Sequence, residues 1–233
     1  MLRACWMGVV PYSQALEMQR SLLEKRKAGV VHDTVLLLEH PSVFTLGRRT
    51  ASDHVLADAE TLRSIRTELI ETDRGGEATY HGPGQLVVYP IISIRDARLG
   101  PVAYVRLLEQ AVIESLLVYG IAGHRVVGKT GVWVGGEPGS RPADGEAPAG
   151  AKIAAIGVRI SEGVAMHGYA LNVSTDLSHF GYIVPCGMPS LSLASVASLG
   201  RRSPTVREVG ENSVGQLARL LDRRVEWIAP GEI

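Results

Sequence analysis

Cysteine occurs only twice in the 233 residues, at Cys5 and Cys186. Cys186 lies in the uncharged segment Val184-Pro185-Cys186-Gly187-Met188-Pro189, which suits neither a helix nor a strand. The two prolines fix φ and remove backbone donors, while Gly187 permits a tight turn. A thiol held on such a turn could act as a nucleophile, splitting one difficult transfer into two easier steps through a covalent intermediate. Taken alone it could equally be a small buried hydrophobe, the common state of free cysteine. Lys152 opens the apolar run Lys152-Ile153-Ala154-Ala155-Ile156-Gly157-Val158-Arg159-Ile160. By itself, a lysine at a strand start is a solvated charge. Beside a thiol, its ammonium would stabilise the thiolate, and a desolvated neutral amine could take the thiol proton. Free thiols ionise near about 8.5 and free lysines near about 10.4, so useful proton exchange requires a coupled, partly desolvated pair.

A second candidate region is Arg74-Gly75-Gly76-Glu77-Ala78-Thr79-Tyr80-His81-Gly82-Pro83-Gly84-Gln85. Its glycines would let a ligand approach the backbone closely. A bulged hairpin would explain the glycines, but not why Arg74, Tyr80 and His81 accompany them. His167-Gly168-Tyr169 offers a further glycine with room beside it. The seven histidines show no H-E-x-x-H or comparable metal spacing, which argues against a zinc hydrolase. The segment Gly123-His124-Arg125-Val126-Val127-Gly128-Lys129-Thr130 matches the phosphate-loop pattern letter for letter. Its context contradicts the match, because a phosphate loop follows a strand and opens a helix. Here a helix precedes it and Gly131-Val132-Trp133-Val134 continues as a strand, so a turn between strands is expected, with Lys129 as a local cation.

The elements that must position these groups follow from periodicity and punctuation. Strands are expected at about Arg3 to Val9, Thr34 to Glu39, Val43 to Leu46, Glu68 to Thr72 and Gln85 to Ile92. Short antiparallel strands follow at His124 to Val127, Gly131 to Val134, Lys152 to Ile160 and Val164 to Val173, with a last one at Val225 to Trp227. Helices are expected at Tyr12 to Lys27, from Pro101 to near Gly120, around Leu193 to Leu199 and from Thr205 to Leu221, with Asp58 capping a short one. The fold class is α+β, a mixed or antiparallel sheet flanked by helices. A chain of this length with 45% hydrophobic residues can bury one substantial core, so a single domain over residues 1–233 is expected. Residues 135–151, rich in Gly, Pro and Ala, are read as a flexible loop insertion. Lys and Arg balance Asp and Glu at 24 each, leaving no overall electrostatic footprint for nucleic acid or an anionic membrane. Two distant cysteines, no signal peptide and no membrane-spanning stretch lead to the expectation of a cytoplasmic protein.

Four blocks, in order, resemble the lipoyl(octanoyl) transferases, the octanoyl-acyl carrier protein:protein N-octanoyltransferases. They are Glu39-His40-Pro41-Ser42-Val43-Phe44-Thr45-Leu46-Gly47-Arg48; Arg74-Gly75-Gly76 with Thr79 to Gln85; Lys152 to Arg159 with His167-Gly168-Tyr169-Ala170-Leu171-Asn172; and Pro185-Cys186-Gly187. The resemblance implies a fold similar to biotin and lipoate protein ligase catalytic domains. It implies that Cys186 is the acyl-thioester nucleophile and Lys152 its general acid/base. Arg74, Gly75, Gly76, Glu77, Ala78, Thr79, Tyr80, His81, Ala155, Ile156, Gly157, His167, Gly168 and Tyr169 are implied to line the acyl site. The implied donor is octanoyl-acyl carrier protein. The implied acceptors are lipoyl domains of 2-oxoacid dehydrogenase complexes and the glycine cleavage H protein. Neither ATP nor a metal is expected, nor a nucleic-acid or membrane partner, and the chain is expected to act as a monomer. Arg48, Arg49 and Arg159 could meet an acidic carrier or stand as solvated surface. The long 135–151 segment departs from the family's pattern. An ATP-dependent lipoate or biotin protein ligase of the related fold and a non-catalytic acyl-binding protein are the alternatives.

Overall fold

The computed structural model describes residues 1–51, 54–140, 149–188, 190–200 and 204–233. In chain order the first elements are β1 (Leu2–Val9), α1 (Tyr12–Lys27), β2 (Thr34–Glu39), β3 (Val43–Leu46), α2 (Ala59–Ser64), β4 (Glu68–Glu71), β5 (Ala78–His81) and β6 (Gln85–Ile91). They are followed by α3 (Pro101–Leu117), β7 (Gly123–Val126), β8 (Lys129–Val134), β9 (Ala151–Ser161), β10 (Val164–Asn172), α4 (Val196–Leu199), α5 (Val206–Leu220) and β11 (Val225–Trp227). Eight strands form one mixed sheet in the order β11-β1-β2-β6-β10-β9-β8-β7, in which β11, β1 and β2 run parallel and the rest pair antiparallel. A second sheet, β4-β3-β5, lies apart from it.

The central strands are apolar on both faces because both faces are covered. On β2, Val35 and Leu37 join the core beneath α3 and α5, while Leu36 and Leu38 join the core beneath α1. On β6, Leu86 and Val88 face the first core, and Val87, Tyr89 and Ile91 the second. The α1 stripe of Ala15, Leu16, Gln19, Leu22 and Leu23 is buried, in keeping with its helical spacing. Thr205 and Glu208 form a capping box on α5, and Pro101 occupies the first turn of α3. No helix among the described residues is long and apolar enough to cross a membrane.

Two departures from the sequence reading have physical causes, and the rejected phosphate-loop match falls on a turn between strands as expected. β5 lies inside the glycine-dense segment, and its four residues are all buried against β3. The helix expected from Leu193 is only Val196–Leu199, because Ser195 caps it and residues 192–194 run extended beside Lys152. The phosphate-loop look-alike runs through β7, a turn with Gly128 at φ 78° and the start of β8, so no helix follows it. Val134 pairs opposite Ala151 at the ends of the 135–151 insertion, whose middle, 141–148, lies outside the described residues.

Two predictions concern the packing. A Cβ on Gly168 would stand 2.1 Å from Val88 O and 2.6 Å from Pro90 Cδ, so Gly168→Ala is expected to cost about 1–3 kcal/mol. Gly215→Ala, on the exposed face of α5 with nothing within 4 Å, is expected to gain about 0.5–1 kcal/mol. Thermal unfolding of the two variants should move in opposite directions. His40 is fully buried, with Nδ1–H donating to Val10 O (2.6 Å) and Nε2 accepting from Tyr89 OH (2.8 Å). Burial pushes its pKa down to about 4, outweighing the Val10 bond. The unfolded chain therefore binds a proton near pH 6.5 that the native state refuses. Stability is complete above that pH and falls as pH drops toward 4. The loss from pH 7 to 5 is about 2 kcal/mol from this residue, and urea titrations should show His40→Gln with a correspondingly flatter pH slope.

Candidate active site

Lys152 and Cys186 meet. Lys152 Nζ donates to Cys186 Sγ at 3.1 Å, although 34 residues separate them in sequence. Lys152 is the second residue of β9 and is 4% exposed. Its backbone is held on both sides, its N–H donating to Ser192 O (2.8 Å) and its carbonyl accepting from Ala194 N–H (3.1 Å). Its side chain crosses Gly131, where a Cβ would lie 2.6 Å from Lys152 Cε and 2.6 Å from Ala154 O. Gly131, at φ 125°, donates its N–H to the fully buried carboxylate of Glu109, which also accepts from Arg106 and Arg125. The ring centroid of Trp133, the residue opposite Lys152 in the ladder, is 4.9 Å from Nζ.

Cys186 sits at φ 56°, ψ 26°, in a left-handed conformation that costs a non-glycine residue about 1–3 kcal/mol. Pro185 ahead of it and Gly187 behind it, at φ 66°, complete a single tight turn. That turn is fastened by Val184 N–H to His54 O (2.8 Å) and Met188 N–H to Pro185 O (3.1 Å). The Glu77 carboxylate lies directly on Gly187, leaving no space for a Cβ.

The pair opens into a cavity of about 320 Å³, within the usual range for a small-molecule site. Arg74, Gly75, Gly76, Glu77, Ala78, Thr79, His81, Ala155, Ile156, Gly157, His167, Gly168 and Tyr169 all stand at its wall. Tyr80 does not. Strand alternation turns it into a separate cluster with Phe44, Phe180 and Ile183, with its hydroxyl 3.1 Å from Ser42 Oγ. Tyr169 reaches the wall from its strand, but its ring belongs to the core under α3 and α5, where its hydroxyl bonds Ser213 at 2.6 Å. The glycines serve chain packing as much as ligand approach. Gly157 admits Gly75 O, and Gly168 admits the β6 backbone, so the room expected beside Gly168 is already filled.

The cavity's polar groups are individually constrained. Arg74 is buried and donates to Thr45 O (2.6 Å), Thr45 Oγ1 (2.9 Å) and Gly75 O (3.1 Å), all neutral acceptors. Burial lowers its pKa from the ordinary guanidinium value. His81 bonds Gln85 Oε1 (2.7 Å) and stacks on Tyr12. Burial first, then the nearby His40, drives its pKa well below the normal range, so it is neutral. His167, at φ 57°, donates from Nε2 to Asp73 Oδ1 (2.8 Å), and burial lowers its pKa despite that bond. Burial of Asp73 would raise its own pKa, but His167 and Arg159 bring it down on balance. Arg159 is thus paired with Asp73 rather than free, whereas Arg49 stands at the cavity wall.

Sequence reasoning missed Trp133, Tyr12, Tyr89 and Met188, which also line the cavity. Nothing local marks Trp133, Tyr12 or Tyr89, whereas Met188 lies two residues from Cys186 on the same turn segment. Lys129 and Thr130 line it too, so the rejected phosphate-loop match did flag a cation, for a reason unrelated to that motif. Chemically, the arrangement sets a thiol within hydrogen-bond reach of an amine, a pair suited to nucleophilic and proton-transfer chemistry, beside a glycine-walled space in which His81 is neutral.

Residues 11–218 match the lipoyl protein ligase A/B catalytic domain family. The chain is 47% identical over 216 residues to an octanoyltransferase of Solibacter usitatus, covering 93% of this chain and 91% of that one. It is 43% identical over 227 residues to an octanoyltransferase of Chloroflexus aurantiacus, covering 96% of each. Among solved structures it resembles a bipartite lipoate protein ligase of Thermoplasma acidophilum, described with its E2 lipoyl domain, at TM-score 0.72 and 18% identity over 99% of this chain and 88% of that one. A lipoate-protein ligase A bound with ATP gives TM-score 0.70 at 17% identity, over 100% and 91%. A biotin protein ligase of Aquifex aeolicus gives 0.54 at 13% identity, over 94% and 70%. These three likenesses carry the α+β ligase fold, and the close relatives carry the rest: the chain belongs to the lipoyl protein ligase A/B catalytic domain family and, within it, to the octanoyltransferases, which are acyltransferase enzymes.

Proposed function

We propose that this protein moves an octanoyl group from octanoyl-acyl carrier protein to a specific lysine of lipoyl domains, through a thioester on Cys186. The proposed acceptors are the lipoyl domains of 2-oxoacid dehydrogenase complexes and the glycine cleavage H protein. The observation that carries this reading is the 3.1 Å approach of Lys152 Nζ to Cys186 Sγ at a cavity of acyl-chain size. In the first half-reaction the Cys186 sulfur attacks the donor's thioester carbon, having given its proton to Lys152. The new acyl–sulfur bond forms, the carrier's carbon–sulfur bond breaks, and Lys152 returns the proton to the departing pantetheine sulfur. In the second, the acceptor lysine amine attacks the Cys186 thioester. Lys152 takes the amine proton and passes it to the Cys186 sulfur as that leaves. A thioester is exchanged for another thioester and then for a more stable amide, so the cycle is downhill and we assign it no ATP and no metal. Backbone N–H groups of the glycine-bearing walls are suited to the oxyanion of each tetrahedral intermediate.

Incubation with octanoyl-acyl carrier protein is expected to add one octanoyl group at Cys186, seen by intact mass and peptide mapping. Equal acylation of Cys186→Ala would refute the intermediate. Lys152→Ala is expected to slow octanoyl transfer to an apo lipoyl domain by about 10²–10⁴-fold without unfolding the protein. Lys152→Arg should not rescue it, since a guanidinium cannot give up its proton. Turnover by either variant at the parent rate would remove Lys152 from the mechanism.

A further inference from the structure

Lys152 is almost wholly buried, and no carboxylate of the described residues forms an ion pair with it. A buried ammonium without a counter-charge gives up its proton unless something nearby offsets the lost hydration. Two groups meet it directly: the Cys186 sulfur at 3.1 Å and the indole face of Trp133, 4.9 Å from Nζ to the ring centroid. The other charged groups near the pair act at one remove. Arg74, held by neutral acceptors, is close enough to sense the charge of Cys186. Glu77 lies on Gly187 rather than on the lysine, and Glu109 is spent on Gly131, Arg106 and Arg125. Lys129 and Arg49 stand at the wall of the same cavity and add positive charge.

Trp133 is fully buried, and its placement is built into the sheet. It stands opposite Lys152 in the β8/β9 ladder, just after an irregularity between Val132 and Trp133. Two residues earlier, Gly131 leaves the space through which the lysine stem passes. An aromatic face attracts a desolvated cation through its quadrupole and gains nothing from a neutral amine. We propose that Trp133 is a positioning residue of the transfer site: its π face holds Lys152 against Cys186 as an ammonium, and so keeps the sulfur as a thiolate. The balance is one proton, moved from Cys186 Sγ to Lys152 Nζ, with the indole favouring its arrival. This inference rests on the reading of Lys152 and Cys186 as the reacting pair.

The test uses fluorinated tryptophans, which weaken the π face while keeping the shape of the ring. The chain has three tryptophans, so Trp6→Phe and Trp227→Phe leave Trp133 as the site of incorporation. The rate of Cys186 alkylation by iodoacetamide at pH 7 reports the thiolate, and Cys5 is fully buried. The logarithm of that rate should fall in even steps through the mono-, di- and trifluoro proteins, by roughly ten-fold across the series, with unchanged thermal midpoints. Trp133→Phe should retain more of the rate than Trp133→Leu, and octanoyl transfer should lose kcat with little change in KM. A rate independent of fluorine number, or equal rates for the Phe and Leu variants, would overturn the proposal. Alkylation needs no acyl donor, so it reads this inference even if Cys186 accepts no octanoyl group.

Discussion

The site rests on one contact, a buried amine against a sulfur, and that contact is made by a single stretch of chain that does two things. Residues 184–188 present Cys186 on its turn, and a few residues later Ser192 and Ala194 bond both backbone groups of Lys152. The segment that carries the nucleophile therefore also clamps the strand that carries its partner. This is why the following helix starts late: residues 192–194 give their backbone bonds to Lys152 instead of to a helical turn. The left-handed geometry of Cys186 is sustained by the same fastening, from His54 O on one side and the Glu77 carboxylate on the other.

The cavity is the seam between the two sheets, and glycine sets its width. Gly47 lies against Gly76 O and Gly157 against Gly75 O, each too close for a Cβ, and Gly75 lies tightly against Val158 O. Without those approaches the Arg74 loop could not lie on β9, and Thr79 and His81 would not line one cavity with the sulfur. The glycine density that marks a ligand site in the sequence is therefore first a condition of sheet-to-sheet contact. The ligand space is what remains after that contact is made.

Charge is distributed in the cavity in a consistent way. His81 is neutral through burial, as is His40 packed against its ring outside the cavity wall, and Tyr12 and Tyr89 are held un-ionised by the same cause. Arg74 is kept from stray carboxylates by Thr45, and Asp73 is occupied by His167 and Arg159. What meets the sulfur directly is the Lys152 amine, with the Trp133 ring behind it.

Much of this was legible in the residues themselves. Alternation and caps defined nearly every strand and helix, because those patterns report on burial one residue at a time. The motifs around Cys186, Lys152, Arg74 and His167 pointed to the family because a reacting group and its punctuation travel together in short segments. Local pattern could not tell that Tyr80 turns away while Thr79 and His81 turn in, since that depends on β5 being a strand hidden among glycines. Nor could it find Trp133, whose role comes from register across β8 and β9, a relation between residues that no periodicity encodes. The sequence by itself determined the elements, the family and which atoms could react. Only the tertiary structure decided that the lysine and the sulfur touch, and that an aromatic face stands beside the lysine, because distances between strands are set by packing and not by order along the chain.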